Sequence, residues 1–156
     1  MMFKKVCIIG CGLIGSSIAR AIKKNKLARK VVSSNRSSLT NKKVVRLNIV
    51  DEASSDTKKI TKDSDLIIIA TPLSSYKEVV LKIKNSLKNG AILTDVGSVK
   101  QKVIPIVENN IPRDVSWISS HPIAGTEESG PESGFSELFR NRWCILIPSK
   151  HAKSKD

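Results

Sequence analysis

The segment FKKVCIIGCGLIGSSIARAIKKN, residues 3–25, limits the possible folds more than any other part of the chain. FKKVCIIG (3–10) is a short apolar run rich in β-branched residues and closed by glycine, which is how a strand buried on both faces of a parallel sheet reads. Leu13, Ile14, Ile18, Ala21 and Ile22 then recur at helical spacing, with lysines on the other face. The order is strand, glycine turn, helix.

The same alternation continues. KVVSS (30–34) reads as a second strand and SLTNKKVVRL as a helix before the short NIVD (48–51). DLIIIA (65–70) is an almost wholly apolar strand ending at Thr71-Pro72. SSYKEVVLKIKNSL follows as a helix, with Ser75 and Glu78 spaced for a capping box. AILTDV (91–96) is another strand, and SVKQKVIPIVENN begins a helix that Pro105 must kink or end. VSWISS (115–120), a short helix FSELF (135–139) and a last strand WCILIP (143–148) complete the pattern, and the polar tail 149–156 is expected to be disordered. Strands alternating with helices of this length imply a doubly wound, mainly parallel α/β sheet of the Rossmann dinucleotide-binding type. A length of 156 residues supports one such domain, here residues 1–148.

Composition narrows the class further. No apolar stretch approaches the roughly 18 residues of a membrane span, and the N-terminal apolar run is broken by glycines without a following cleavage site, so it reads as mature structure. Cys7, Cys11 and Cys144 are odd in number and lack metal-ligand spacing, which indicates neither a disulfide framework nor a metal site and fits a reducing cytoplasm. The net charge of +13 is lopsided, because residues 1–50 carry twelve Lys or Arg and no Asp or Glu. Those residues are scattered lysines without interleaved aromatics, so a solvated basic face or an anionic small-molecule partner is expected, not nucleic acid.

In a doubly wound sheet, ligands bind outside the carboxyl ends of the strands. Five polar segments stand there: GCGLIG, SSNRSS, ATPLSS, DVGSVK and SSHPIAGTE. In the first, Gly10 permits the tight turn, Gly12 admits a pyrophosphate and Gly15 lets the helix pack on the strand, with the amides of Leu13 and Ile14 at the helix start; a plain strand-to-helix turn is the alternative. An NAD domain normally has an acid about 20 residues on, yet none precedes Asp51. Ser34, Asn35, Arg36 and Ser37 occupy that place instead, a set suited to a 2′-phosphate, which favours NADP over NAD. Thr71 and Pro72 present backbone to the crevice or simply start a helix. Asp95, Gly97 and Ser98 lie where a nicotinamide ring would sit, and Ser98 also fits a helix N-cap. His121 is suited to accept a hydrogen bond from a substrate hydroxyl, though a lone histidine is equally a structural residue. Glu127 and Glu128 alone would be a solvated turn.

Taken together, GCGLIGSSIARAI, TDVGSVK and HPIAGTEESG followed by LF and ILIP resemble the nucleotide-binding domain of prephenate dehydrogenases, including arogenate and cyclohexadienyl dehydrogenases, over about residues 3–148. The resemblance implies an NADP- or NAD-linked oxidative decarboxylation of prephenate or arogenate in tyrosine biosynthesis. His121 would accept a hydrogen bond from the ring 4-hydroxyl, Ser98 would contact the same hydroxyl and Glu127 would gate or orient at the mouth. Family members continue into a helical second domain with dimer contacts and a substrate-binding arginine, and the sequence stops before any such region. A fragment or a naturally shortened chain follows from that expectation, with a homodimer or a separate helical domain as partner and with cofactor binding surviving better than turnover.

Overall fold

A computed structural model describes residues 1–150 and Ala152. The chain alternates strand and helix as β1 (Phe3–Ile9), α1 (Leu13–Lys24), β2 (Ala28–Ser34), α2 (Ser38–Arg46), β3 (Glu52–Ser54), α3 (Thr57–Thr61) and β4 (Leu66–Ile69). It continues through α4 (Tyr76–Ile83), flanked by two 3₁₀ turns, then β5 (Ile92–Asp95), α5 (Lys100–Glu108), β6 (Ser116–Pro122) and β7 (Cys144–Pro148). One sheet in the order β3-β2-β1-β4-β5-β6-β7 results, parallel throughout except for the antiparallel β6–β7 edge pair.

Pleating explains why β4 and the second half of β1 are apolar at consecutive positions. Val6 and Ile8 of β1 join Ala19, Ile22, Val31 and Val44 in one buried cluster, while Cys7 and Ile9 join Tyr76, Val80, Leu93, Val103, Val107 and Trp117 in another. Helices therefore cover both faces, and a strand between them has no water-facing side. The chain leaves β1 toward β2 on one side and returns to β4 on the other, so the helices on either side of the β1–β4 junction diverge. That reversal opens a crevice at the carboxyl ends of the two strands.

Several local expectations change. The short NIVD is a loop that buries Ile49 and Val50, and an unanticipated strand, β3, begins just after it at Glu52. The five-residue α3, too short to show a period, is capped by Asp56, whose Oδ1 accepts Lys59 N at 3.0 Å. No capping box forms at Ser75, because the preceding 3₁₀ turn already holds its backbone in a helical conformation; Glu78 pairs instead with Lys82 at 2.6 Å. Pro105 sits inside α5 without ending it, and both Pro105 and Gln101, whose carbonyl loses its partner, are exposed. FSELF is a series of turns, not a helix. Its Leu138 is nonetheless buried. Of the expected disordered tail, Ser149, Lys150 and Ala152 are described, with Ser149 N donating to Trp117 O at 2.9 Å, and the remainder lies outside the described residues.

Candidate functional site

The crevice is a cavity of about 550 Å³ bordered by Gly10, Cys11 and Gly12, the end of β2, Thr71-Pro72 and Gly130-Pro131. Its glycines are distinguished by their surroundings. Gly10 has φ +95°, and a Cβ there would lie 2.7 Å from Ala70 O. A Cβ on Gly15 would lie 2.1 Å from Gly10 O, so only glycine lets α1 approach β1 this closely. A Cβ on Gly12 would meet nothing within 4 Å, so any pressure for glycine there comes from a bound group. Gly12 caps α1 without a side-chain bond, leaving the first-turn amides of Leu13, Ile14 and Gly15 for a ligand. Cys11 points inward; burial is the main cause of its thiol being pushed up to about 11, which makes it a poor nucleophile.

At the end of β2, Asn35 is a fastener. Its Oδ1 accepts Cys11 N at 2.6 Å, and its Nδ2 donates to Ser33 Oγ and to Asn41 Oδ1. Ser34 Oγ bonds Thr57 Oγ1 at 2.8 Å, and Ser37 caps α2 by accepting Thr40 N at 3.3 Å. Arg36 is exposed on the cavity rim and makes no ion pair among the described residues; Ser37, Thr40, Ser55 and Thr57 line the same cavity, as does Glu78, whose carboxyl feels the Arg36 charge. Asp51 does not substitute for a ribose-binding acid. It is engaged by Lys23 at 2.8 Å and by Val31 N at 2.8 Å, three residues short of the strand end. On the opposite wall, Thr71 Oγ1 is buried without a hydrogen-bond partner, an orphaned group a ligand would satisfy. The first-turn amides, the open space at Gly12, Arg36 on the rim and the orphaned hydroxyl fit a dinucleotide.

Sequence reasoning passed over Thr40, Ser55, Thr57 and Gly130-Pro131, all of which line this cavity. Gly130 and Pro131 reach it because the chain downstream is pinned to α1. Phe135 N donates to Ser17 Oγ at 3.1 Å, and Gly134 packs so tightly that a Cβ would fall 2.1 Å from Ser16 Oγ.

Asp95 requires a correction. Expected as a cofactor contact, its side chain is completely buried and turned to protein partners. Its Oδ1 accepts from Lys100 Nζ at 2.8 Å, Ser119 Oγ at 2.9 Å and Ser120 N at 3.1 Å. Its Oδ2 accepts from Lys100 Nζ at 2.7 Å, Gly97 N at 3.0 Å and Tyr76 Oη at 3.1 Å. Burial first, and the Asp95 charge second, push the Tyr76 phenol well above its ordinary range, so it stays a donor. Gly97 belongs to this cluster, since a Cβ there would approach Tyr76 Oη to 2.9 Å. Ser98 is exposed just beyond it and is not the cap of α5, which is Val99.

His121 lies one residue from the end of β6, paired with Ile145 of β7, and is half-buried. Trp117, Ser119 and His121 alternate onto one face of the strand, the face on which Trp117 packs with Val103 and Val107 of α5. Ser98, two residues before α5, therefore stands at the same corner of the sheet. Glu127 is exposed in the following loop, as is Glu128, which accepts a 3.5 Å bond from Ser133. Ser98, His121 and Glu127 do not border the glycine cavity; the segment after His121 borders a second cleft of about 430 Å³, lined by Ile123 to Thr126 with Phe135, Arg140 and Arg142.

Comparison with known proteins places these features. Residues 18–156 match the family model described as prephenate dehydrogenase, nucleotide-binding domain. The cyclohexadienyl dehydrogenase of Zymomonas mobilis is 36% identical over 99% of this chain and 52% of its own length. The prephenate dehydrogenase of Bacillus subtilis is 31% identical over 93% of this chain and 39% of its own. Among solved structures, Aquifex aeolicus prephenate dehydrogenase in complex with hydroxyphenyl propionate and NAD+ superposes with a TM-score of 0.88 at 29% identity, covering 97% of this chain and 53% of that one. Synechocystis arogenate dehydrogenase gives 0.88 at 28% identity, covering 97% and 52%. The chain thus spans about half the length, or somewhat less, of the curated relatives it matches.

Proposed function

This chain belongs to the prephenate dehydrogenase family by its nucleotide-binding domain, and from that premise we propose that it binds NADP+ in preference to NAD+ and serves the oxidative decarboxylation of prephenate or arogenate. The observation that carries the reading is a single cavity holding the glycine turn, the orphaned Thr71 hydroxyl and an unpaired Arg36, with no acid at the end of β2. Arg36, Ser37 and Thr40 hold the 2′-phosphate by charge-assisted bonds. The first-turn amides of α1 hold the pyrophosphate, and Thr71 and Gly97 border the nicotinamide end.

A nicotinamide held there would supply the hydride acceptor for the substrate ring. His121 accepts a hydrogen bond from the ring hydroxyl as that hydride leaves, Ser98 orients the same hydroxyl and Glu127 orients at the mouth. Carbon dioxide departs, and the electron pair of the broken carbon–carbon bond completes the aromatic ring. Aromatisation drives the reaction, so these residues mainly align and polarise.

A second reading, a nucleotide-binding module that turns over only with a helical partner or as a dimer, is favoured by β7. All five of its residues and the preceding Trp143, 84% exposed, face solvent despite their apolar character. The test begins with titration of the chain by NADP+ and NAD+. Arg36→Ala should weaken NADP+ binding by about tenfold or more, the worth of one or two charge-assisted bonds, with little change for NAD+. An unchanged ratio would remove the NADP assignment. Turnover with prephenate and arogenate is then followed by reduced-nicotinamide absorbance, with and without the helical half of a relative. Activity undiminished in His121→Asn would sink its catalytic role, and turnover only in the presence of the added half would select the second reading.

A further inference from the structure

Asp95 and Lys100 form the most buried ion pair among the described residues, their side chains 0% and 14% exposed. Neither is free to act on a ligand. A lysine ammonium has three hydrogens, and Lys100 Nζ makes three bonds, to Asp95 Oδ1 at 2.8 Å, Asp95 Oδ2 at 2.7 Å and the Ser120 carbonyl at 2.5 Å. Asp95 accepts three bonds at each oxygen, more than its lone pairs ordinarily take. A charge pair this deep is retained only where every remaining polar group is matched, and here the matching groups are specific. They are the amide of Gly97, immediately before Ser98, and both the amide and the carbonyl of Ser120, immediately before His121. Ser120 Oγ closes the set by donating to the Asp95 carbonyl.

We propose that the Asp95–Lys100 pair is a positioning device that locks the loop after β5 to the end of β6 and so sets the relative placement of Ser98 and His121. The inference rests on the reading that those two residues hold the substrate hydroxyl, but what it asserts is geometric. The pair joins elements that the sheet alone leaves independent at this point, because the β5–β6 ladder ends at the Thr94–Ile118 register, three residues before His121. All of its polar contacts are to protein groups. A second ion pair, Lys88–Asp65, bridges the sheet near the start of β4 and supplies a control of the same chemistry away from the site.

The test uses the whole chain saturated with NADP+ and reads the ring resonances of its two histidines, His121 and His151, by proton–nitrogen correlation. Lys100→Met should shift or split the His121 signals, leave those of His151 in place and keep the NADP+ Kd within about threefold. Ser119→Ala, which removes one bond and keeps the ion pair, should move the same signals less and serves if Lys100→Met does not fold. Lys88→Met should lower Tm without moving His121. The proposal is overturned if His121 resonances in Ser119→Ala and in folded Lys100→Met superpose on those of the unaltered chain, or if Lys88→Met moves them as far. Turnover retained in His121→Asn would defeat the catalytic reading and leave this result standing, because the resonances report placement and not reaction.

Discussion

Gly12 and Gly15 occupy the same turn and should fail in different ways. On Gly15 an added Cβ meets Gly10 O at 2.1 Å, Gly10 C at 3.1 Å and Ile8 Cγ2 at 3.2 Å. The first two are backbone of the turn itself and cannot rotate away, so α1 must lift from β1. Overpacking of that kind costs about 1–3 kcal/mol, which in a chain of this size lowers Tm by about 2–12 °C. On Gly12 the Cβ meets nothing, and the backbone, at φ −79° and ψ −159°, is extended and open to alanine. Alanine is a poorer helix cap than glycine but restricts the unfolded chain more; the terms oppose, leaving a net of about 0.5 kcal/mol or less. Gly12→Ala should therefore melt within about 2 °C of the parent. Its penalty appears on binding, where the methyl occupies the approach of the pyrophosphate. The same overpacking range, about 1–3 kcal/mol, becomes a rise in the NADP+ Kd of about 5- to 150-fold. Thermal melts and calorimetric titration of both variants separate the cases. An unchanged Kd in Gly12→Ala would refute the cradle, and a melt as early as that of Gly15→Ala would refute the geometry of the turn.

Two further outcomes follow from titratable groups. Cys7 and Cys11 are buried, with thiols pushed up to about 12 and about 11 chiefly by burial, whereas Cys144 is exposed on β7; a thiol-specific chromogenic disulfide at pH 8 should label Cys144 alone until denaturant is added, and a second fast-reacting thiol would contradict the packing of β1 and its turn. Asp65 is held below the ordinary carboxylate range: burial works to raise it, but bonds from Lys88 and from the amides of Lys5 and Lys4 prevail. A depressed folded value adds stability above the unfolded value near 3.9, lost as pH falls through the folded value. Asp65→Asn should thus lower Tm at pH 7 and converge on the parent curve toward pH 3; parallel curves across that range would remove the argument.

The parts of the fold legible in the sequence are those where one physical demand acts on consecutive residues. β4 and the Val6–Ile9 half of β1 are covered on both faces, so burial acts on consecutive positions and the apolar run is unbroken there. WCILIP shows the limit of that signal. It has the same apolar run and does form β7, yet the strand is the antiparallel edge and Ile145, Leu146 and Ile147 are 51%, 60% and 38% exposed. Apolar composition reported the strand, and it carries no information on whether the strand is covered. FSELF likewise has its buried residue, Leu138, but is positioned by one tight contact at Gly134 and one bond to Ser17, which have no period to read.

Asp95 shows why the site was less legible than the fold. An acid at a strand end beside a glycine and a serine reads as a ligand contact, and that reading is local. Whether a carboxylate faces the crevice or the interior depends on who neutralises it, and its partners come from four separate segments: Tyr76 on α4, Gly97 in the loop, Lys100 on α5, and Ser119 and Ser120 on β6. A buried charge without such partners would cost several kcal/mol, so Asp95 can face inward only because all of them converge. The convergence is a property of the strand order, which brings β6 beside β5 and lays α5 across both. Motif spacing therefore pointed to the loop after β5 that carries Ser98 and to the end of β6 that carries His121, whereas the contacts that join the two segments exist only after the sheet is assembled.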